Sequence, residues 1–190
     1  LTDDRVFTML EDVNGYMWLS TQGGLNRFDR KSKKNKRYYH NEDNPKSLPS
    51  NFISHLFIDS EETLWVGTAR GSAQYQSETN DFIRIDKLAN FEIYSMVEAS
   101  PQTYWLATRE QGLIHYKKDE DFMEKYTHES GNENSLSDNR ITKIIKEKDH
   151  LWVATQNGLN RIKFDPIEIR RYSMKEGLPS NAVSYTHLTL

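Results

Sequence analysis

The stretch LWVATQNGLNRI, Leu151 to Ile162, decides how this chain is read, because nearly the same phrase occurs three more times. The other copies are MWLSTQGGLNRF (Met17 to Phe28), LWVGTARGSAQY (Leu64 to Tyr75) and YWLATREQGLIHY (Tyr104 to Tyr116). All the tryptophans of the protein, Trp18, Trp65, Trp105 and Trp152, fall in these copies, spaced 47, 40 and 47 residues apart. Self-similarity at a fixed period has to be interpreted before any single residue, since a missed repeat misreads the whole fold.

Working outward from the tryptophan, each unit keeps one order. An apolar-polar stretch comes first: VFTMLED, ISHLFID, IYSMVEA and ITKIIKE. A tight turn follows, Asn14-Gly15 in the first copy, a strong short-range hairpin signal. The tryptophan strand then ends in a threonine three residues on, at Thr21, Thr68, Thr108 and Thr155, and a glycine turn follows at Gly24, Gly71, Gly112 and Gly158. Two further strands close the unit, as in LNRFDR with NKRYYH or LNRIKF with EIRRY. Alternation over about five to six residues predicts antiparallel strands, and no stretch of useful length carries a helical period.

Four short strands per unit at a period of about 40 to 50 residues predict an all-β chain of β-propeller blades, each a four-stranded antiparallel sheet. The expected blades are residues 1–42, 43–88, 89–130 and 131–175, with the start of a fifth from 176, so that propeller repeats cover 1–183. The small residues two after each tryptophan, Ser20, Gly67, Ala107 and Ala154, fit a crowded position. The tryptophans read as packing anchors, each burying on the order of 150 to 250 Å².

The bulk numbers agree with thin sheets and much polar turn. Over 190 residues the hydrophobic fraction is 36%, aromatics are 12% and mean hydropathy is −0.83. Net charge is −3 with both signs interspersed, which gives no footprint for nucleic acid. The one basic cluster, RKSKKNKRYYH (Arg30 to His40), reads as a solvated hairpin rather than a phosphate-binding patch. With no cysteine there is neither disulfide nor thiolate chemistry, and no apolar run approaches the roughly 18 to 20 residues that span a bilayer, so this segment is expected to make no membrane contact. The chain opens at Leu1 inside a strand-like phrase and reads as a fragment of something longer.

The phrases LWVGT, LWVAT and GLNR, together with SLPSN (Ser47 to Asn51), SLSDN (Ser135 to Asn139) and GLPSN (Gly177 to Asn181), resemble the two-component regulator propeller repeat. The resemblance runs from Leu1 to about Val183. It implies the periplasmic sensor region of a hybrid two-component system of the Bacteroidetes, in which propellers outside the inner membrane precede a histidine kinase that this chain does not contain. An oligosaccharide ligand, contacts with remaining blades or further domains, and a homodimer are implied with it. The second unit departs from the pattern, reading Gly71-Ser72-Ala73-Gln74 in place of Gly-Leu-Asn-Arg and closing through KLAN. The apolar residue three positions into each first strand is Met9, Leu56, Met96 or Ile144, whereas after Val183 that place is Thr186. Residues 184–190, SYTHLTL, therefore read as a truncation or a foreign sequence.

Alternating strand directions put the second-to-third turns of every blade on one face with the blade-to-blade links. Loops on a rigid scaffold are the usual seat of binding residues. The expected ligand-binding set is Gln22, Arg70, Arg109, Glu110, Gln156 and Asn157, beside the links 41–51 and 129–139. Planar amides and guanidinium groups offer paired hydrogen bonds to vicinal hydroxyls, and the two arginines suit an anionic sugar carboxylate or sulfate. Asn51, Asn139 and Asn181 read as turn-formers.

Catalysis has little support. The histidines are scattered, with His40 and His128 at equivalent places, and no ligand spacing predicts a metal or a cofactor. Glu11-Asp12 and Glu61-Glu62 recur in turns, where a carboxylate is a turn residue before it is a general acid. The expected role is a non-enzymatic sensor. The alternatives are a metal-dependent propeller lyase or lactonase, which needs inward-facing His and Glu, and a protein-interaction scaffold, which needs an apolar exposed patch.

Overall fold

The structure, a computed structural model, describes residues 1–183; the expectation for 184–190 lies outside the described residues. The chain divides into two compact units, residues 1–93 and from Tyr94 onward. Each unit is built on four-stranded antiparallel sheets, and all four sheets are β-propeller blades. The first unit contains β1 (Val6–Glu11), β2 (Tyr16–Thr21), β3 (Gly24–Asp29) and β4 (Asn35–Tyr38), then β5 (Ile53–Ile58), β6 (Leu64–Thr68), β7 (Gly71–Gln76) and β8 (Asp81–Arg84). The second contains β9 (Ile93–Ser100, opening on the last residue of the first unit), β10 (Thr103–Thr108), β11 (Leu113–Lys117) and β12 (Phe122–Tyr126). Its other sheet is β13 (Ile141–Glu147), β14 (His150–Thr155), β15 (Gly158–Lys163) and β16 (Glu168–Tyr172). Strands pair in chain order within each sheet. Among the described residues helix is confined to two single 3-10 turns, Asp86–Leu88 and Met174–Glu176.

Register follows the repeat. Leu10 faces Trp18, Phe57 faces Trp65 and Ile145 faces Trp152, and β1, β5 and β13 each carry an irregularity after the first residue. The crowded position two after the tryptophan is explained locally. Ser20 is fully buried, with its hydroxyl accepting from the Thr8 amide at 2.8 Å, and a Cβ added to Gly67 would meet the Ile93 carbonyl at 3.0 Å.

Packing in both units joins unlike faces of two blades. In the first unit Trp18, Leu25 and Tyr38 pack against Leu48 of the link and Ile53, Leu56, Leu64 and Val66 of the following sheet. In the second, Trp105 and Leu113 pack against Leu136, Ile141, Ile144, Leu151 and Val153. Trp18, Trp65 and Trp105 are at most 2% exposed, whereas Trp152 is half-buried. At about 25 cal/mol per Å², one buried tryptophan contributes roughly 4 to 6 kcal/mol before chain entropy is subtracted. Leu56, Met96 and Ile144 are buried, but Met9, their counterpart, is 67% exposed.

A carboxylate at the first turn fixes the tryptophan. Asp12 Oδ1 accepts from the amides of Asn14 and Tyr16 while Oδ2 accepts from the Trp18 indole N–H at 2.7 Å. Asp59 repeats this with Glu61, Thr63 and Trp65, the last at 2.8 Å. The repeat partner of Asp12 is thus Asp59, not the Glu61-Glu62 pair that the sequence pattern suggested, because the turn needs the short side chain at its first position. Glu147, the last residue of β13, serves Trp152 at 2.9 Å.

Two stability outcomes follow from these positions. Gly112 has φ +80° and an added Cβ would lie 2.3 Å from the Tyr126 carbonyl, whereas Gly131, at φ +81°, has nothing within 4 Å. In urea unfolding, Gly112→Ala is expected to lose roughly 3 kcal/mol or more and Gly131→Ala only about 1 kcal/mol. Asp59→Ala strands two amides and a buried indole N–H, and is expected to lose roughly 1.5 to 3 kcal/mol with a shift in tryptophan emission.

Candidate functional site

The second-to-third turn of each blade is closed from inside. In all four blades the threonine hydroxyl donates to the glycine carbonyl: Thr21 to Gly24, Thr68 to Gly71 and Thr155 to Gly158 at 2.8 Å, and Thr108 to Gly112 at 2.6 Å. The same oxygen accepts an amide from the turn, that of Gly23, Arg70, Gln111 or Asn157. These four hydroxyls are at most 1% exposed by residue. A buried hydroxyl with donor and acceptor both used leaves the turn's own side chains out of its closure. Arg70, Arg109, Glu110, Gln156 and Asn157 are accordingly exposed, and Gln22 is half-buried.

Backbone hydrogen bonds join these turns to the links. The Ala69 amide donates to the Phe52 carbonyl in the first unit. In the second, the Gly112 amide donates to Asn139 and the Gln156 amide to Arg140, so consecutive link residues tie the two turns together. The expected site residues therefore form two groups. Gln22 and Arg70 stand on the link face of the first unit, and Arg109, Glu110, Gln156 and Asn157 on that of the second.

The links themselves are stiff. Asn51 Oδ1 accepts the His40 amide and Asn139 Oδ1 the His128 amide, both at 2.7 Å, and Asn181 does the same for Met174 at 2.9 Å. The rings of His40 and His128 donate from Nδ1 to the carbonyls of Leu48 and Leu136, both at 2.7 Å. An arginine from the outermost strand completes each loop. Arg84 reaches the Ser47 carbonyl and hydroxyl and the Leu48 carbonyl, and Arg171 reaches those of Ser135 and Leu136 with Asn132 besides. This is the role of a guanidinium fork among carbonyls.

A cavity of about 550 Å³ opens on this face of the second unit. Asn157 lines it, with His128, Asn134, Arg170, Tyr172 and Glu176. Of these only Asn157 stands in the set expected from sequence. The others lie in a link or at the end of β16, and the usable signal was their distance from the Gly158 turn across the β15–β16 pairing, Leu159 facing Tyr172. The Arg170 guanidinium sits 5.2 Å from the Tyr172 ring centre. The Glu176 carboxyl is held below the usual carboxylate range by the hydroxyl and amide of Ser173. The His128 tautomer that donates from Nδ1 leaves Nε2 as an acceptor. Amide, guanidinium, imidazole and phenol around an open cavity can read hydroxyls and an anion; among the described residues no group of three His, Cys, Asp or Glu is placed to hold a metal ion.

The family model described as two component regulator propeller matches residues 1–23 and 47–70. The histidine kinase P4 of Formosa agariphila is 28% identical over 190 residues, 94% of this chain but 14% of its own length. The chain therefore spans about a seventh of that relative. Among solved structures, the extracellular domain of a protein named as a one component system of B. thetaiotaomicron superposes with a TM-score of 0.79 at 22% identity, over 95% of this chain and 26% of its own. That of one named as a hybrid two component system from the same organism gives 0.66 at 20% identity, over 97% and 31%. At these identities the structures establish the fold.

Because Thr155 closes its turn without them, Gln156→Ala and Asn157→Ala together are expected to change unfolding free energy by no more than about 0.5 kcal/mol in denaturant titration. A larger loss would assign these side chains to the fold.

Proposed function

We propose that this chain, which matches the two component regulator propeller model over residues 1–23 and 47–70, is a segment of the extracytoplasmic sensing region of a hybrid two-component sensor, non-enzymatic in itself, whose link face recognises an oligosaccharide. The observation that carries the reading is the construction of that face. Turns closed by buried threonines hold polar side chains outward beside stiff links, and in the second unit they border a cavity of about 550 Å³. Preorganised polar groups of this kind bind with little further ordering of the protein. Vicinal hydroxyls match the Asn157 amide and the Arg170 guanidinium, and a sugar's C–H face matches the Tyr172 ring. Periplasmic placement agrees with relatives described as extracellular domains.

Occupancy would be passed to a histidine kinase outside this chain through the remaining blades or further domains, by a change in dimer geometry. That step comes from the family, with the cavity as its input.

The test is a thermal-shift panel of plant, algal and host oligosaccharides on this chain. One class is expected to raise Tm, and Asn157→Ala with Arg170→Ala is expected to weaken its binding about tenfold or more, the loss of roughly 1.5 kcal/mol or more of charged hydrogen bonding. Arg109→Ala asks whether the neighbouring turn shares the ligand, and is expected to reduce the shift while leaving the unliganded melting curve unchanged. If no class raises Tm, or the shift survives all three changes, the cavity is not the site.

A further inference from the structure

The hairpin that joins β3 to β4 carries a charge its fold does not ask for. Six of the eight residues from Arg30 to Arg37 are cationic, and all eight are exposed. Arg30 pairs with Glu11 at 3.3 Å. Among the described residues, Lys31, Lys33, Lys34, Lys36 and Arg37 form no ion pair. Asp29, at the base of the hairpin, is engaged by the amides of Lys31 and Ser32 and by the Ser32 hydroxyl, where it builds the turn.

The equivalent hairpins show what the turn needs. Closure is by backbone, Asp29 N–H to the Lys34 carbonyl here and Asn80 N–H to Gln76 in the next blade. The fourth residue after the third strand is left-handed in the first three blades, with φ +59° at Lys33, +56° at Asn80 and +50° at Asp121. Asn and Asp tolerate that conformation through their short polar side chains, whereas lysine gains nothing from it. The other tips, Ser77-Glu78-Thr79-Asn80 and Lys118-Asp119-Glu120-Asp121, carry acids. In the first blade a lysine therefore stands where it is conformationally disfavoured, among four other unpaired cations that repel it. Strain kept against local preference is an observation from which function is inferred.

We propose that this hairpin is a docking surface for a polyanionic polysaccharide, one bearing repeated sulfate or carboxylate groups. Between Arg30 and Arg37 the other residues are Ser32 and Asn35, so there is no apolar side chain to enter a membrane interface and no aromatic ring to stack a base. Exposed ammonium groups on long side chains match a chain whose charges are spread out and variable. β3 starts at the Gly24 turn and ends at this hairpin, so the surface lies at the opposite end of the blade from the link face, and it is independent of the oligosaccharide reading.

The experiment uses the whole chain with a fluorescently labelled heparin oligosaccharide as probe. Binding is expected to weaken at least tenfold in Lys31→Gln/Lys33→Asn/Lys34→Gln/Lys36→Gln, and to weaken steeply as salt is raised, as counterion release requires. Lys33→Asn alone is expected to raise Tm while reducing affinity, a pairing that a structural lysine would not give. Lys163→Gln, in another blade, is expected to change nothing. The proposal is overturned if the fourfold variant binds undiminished, if Lys163→Gln weakens binding as much, or if Lys33→Asn lowers Tm. Equal affinity for neutral dextran, for duplex DNA or for phosphatidylglycerol vesicles would overturn it as well.

Discussion

A threonine hydroxyl shared between a glycine carbonyl and a turn amide is the contact on which each blade depends. It recurs in all four second-to-third turns, among residues at most 1% exposed. The threonine is needed because the turn is pressed against the end of the fourth strand, where water cannot reach its polar groups. The glycine is needed for the same reason. At Gly158, with φ +123°, a Cβ would stand 2.7 Å from the Tyr172 carbonyl. With closure taken inside, the outward side chains are not needed to close the turn, and the blade can present them for recognition.

The second constraint is the two-sidedness of each sheet. One side carries the tryptophan and tyrosines, the other small and branched aliphatics, and in both units unlike sides meet. The indole N–H groups of Trp18 and Trp65 find their acceptor in the turn carboxylate six residues earlier, in β1–β2 and β5–β6. Trp18 also lies 4.8 Å from Tyr75, whose hydroxyl takes a hydrogen bond from Arg27 at 2.6 Å, so a polar outer layer caps the aromatic side.

Much of this could be read from the chain because the repeat isolates what every blade shares. Threonine, glycine and tryptophan recur at fixed intervals, and each proves to have a short-range partner within a few residues. What was not legible depends on partners far apart in sequence. The cavity beside Asn157 is completed by His128 and Tyr172, which enter from a link and from the outermost strand. Arg84 and Arg171 each bind a loop more than thirty residues away. Asp59 was passed over for the neighbouring glutamates because composition shows that a turn is acidic without showing which carboxylate points inward. The exposure of Met9, at a place buried in three other strands, belongs to packing that no periodicity reports.

The arginine latch also gives the links a mechanical character. A link runs into the innermost strand of its sheet by covalent continuity and is gripped at its middle by the outermost strand of the same sheet. It is thereby guyed at both edges, like a rope stretched across a panel. Sideways load on such a loop is carried by the full width of four hydrogen-bonded strands, and little of it is lost in local bending. A molecule pressing on the link would tilt the panel as a whole, so the latch turns a loop contact into a displacement of a rigid plate.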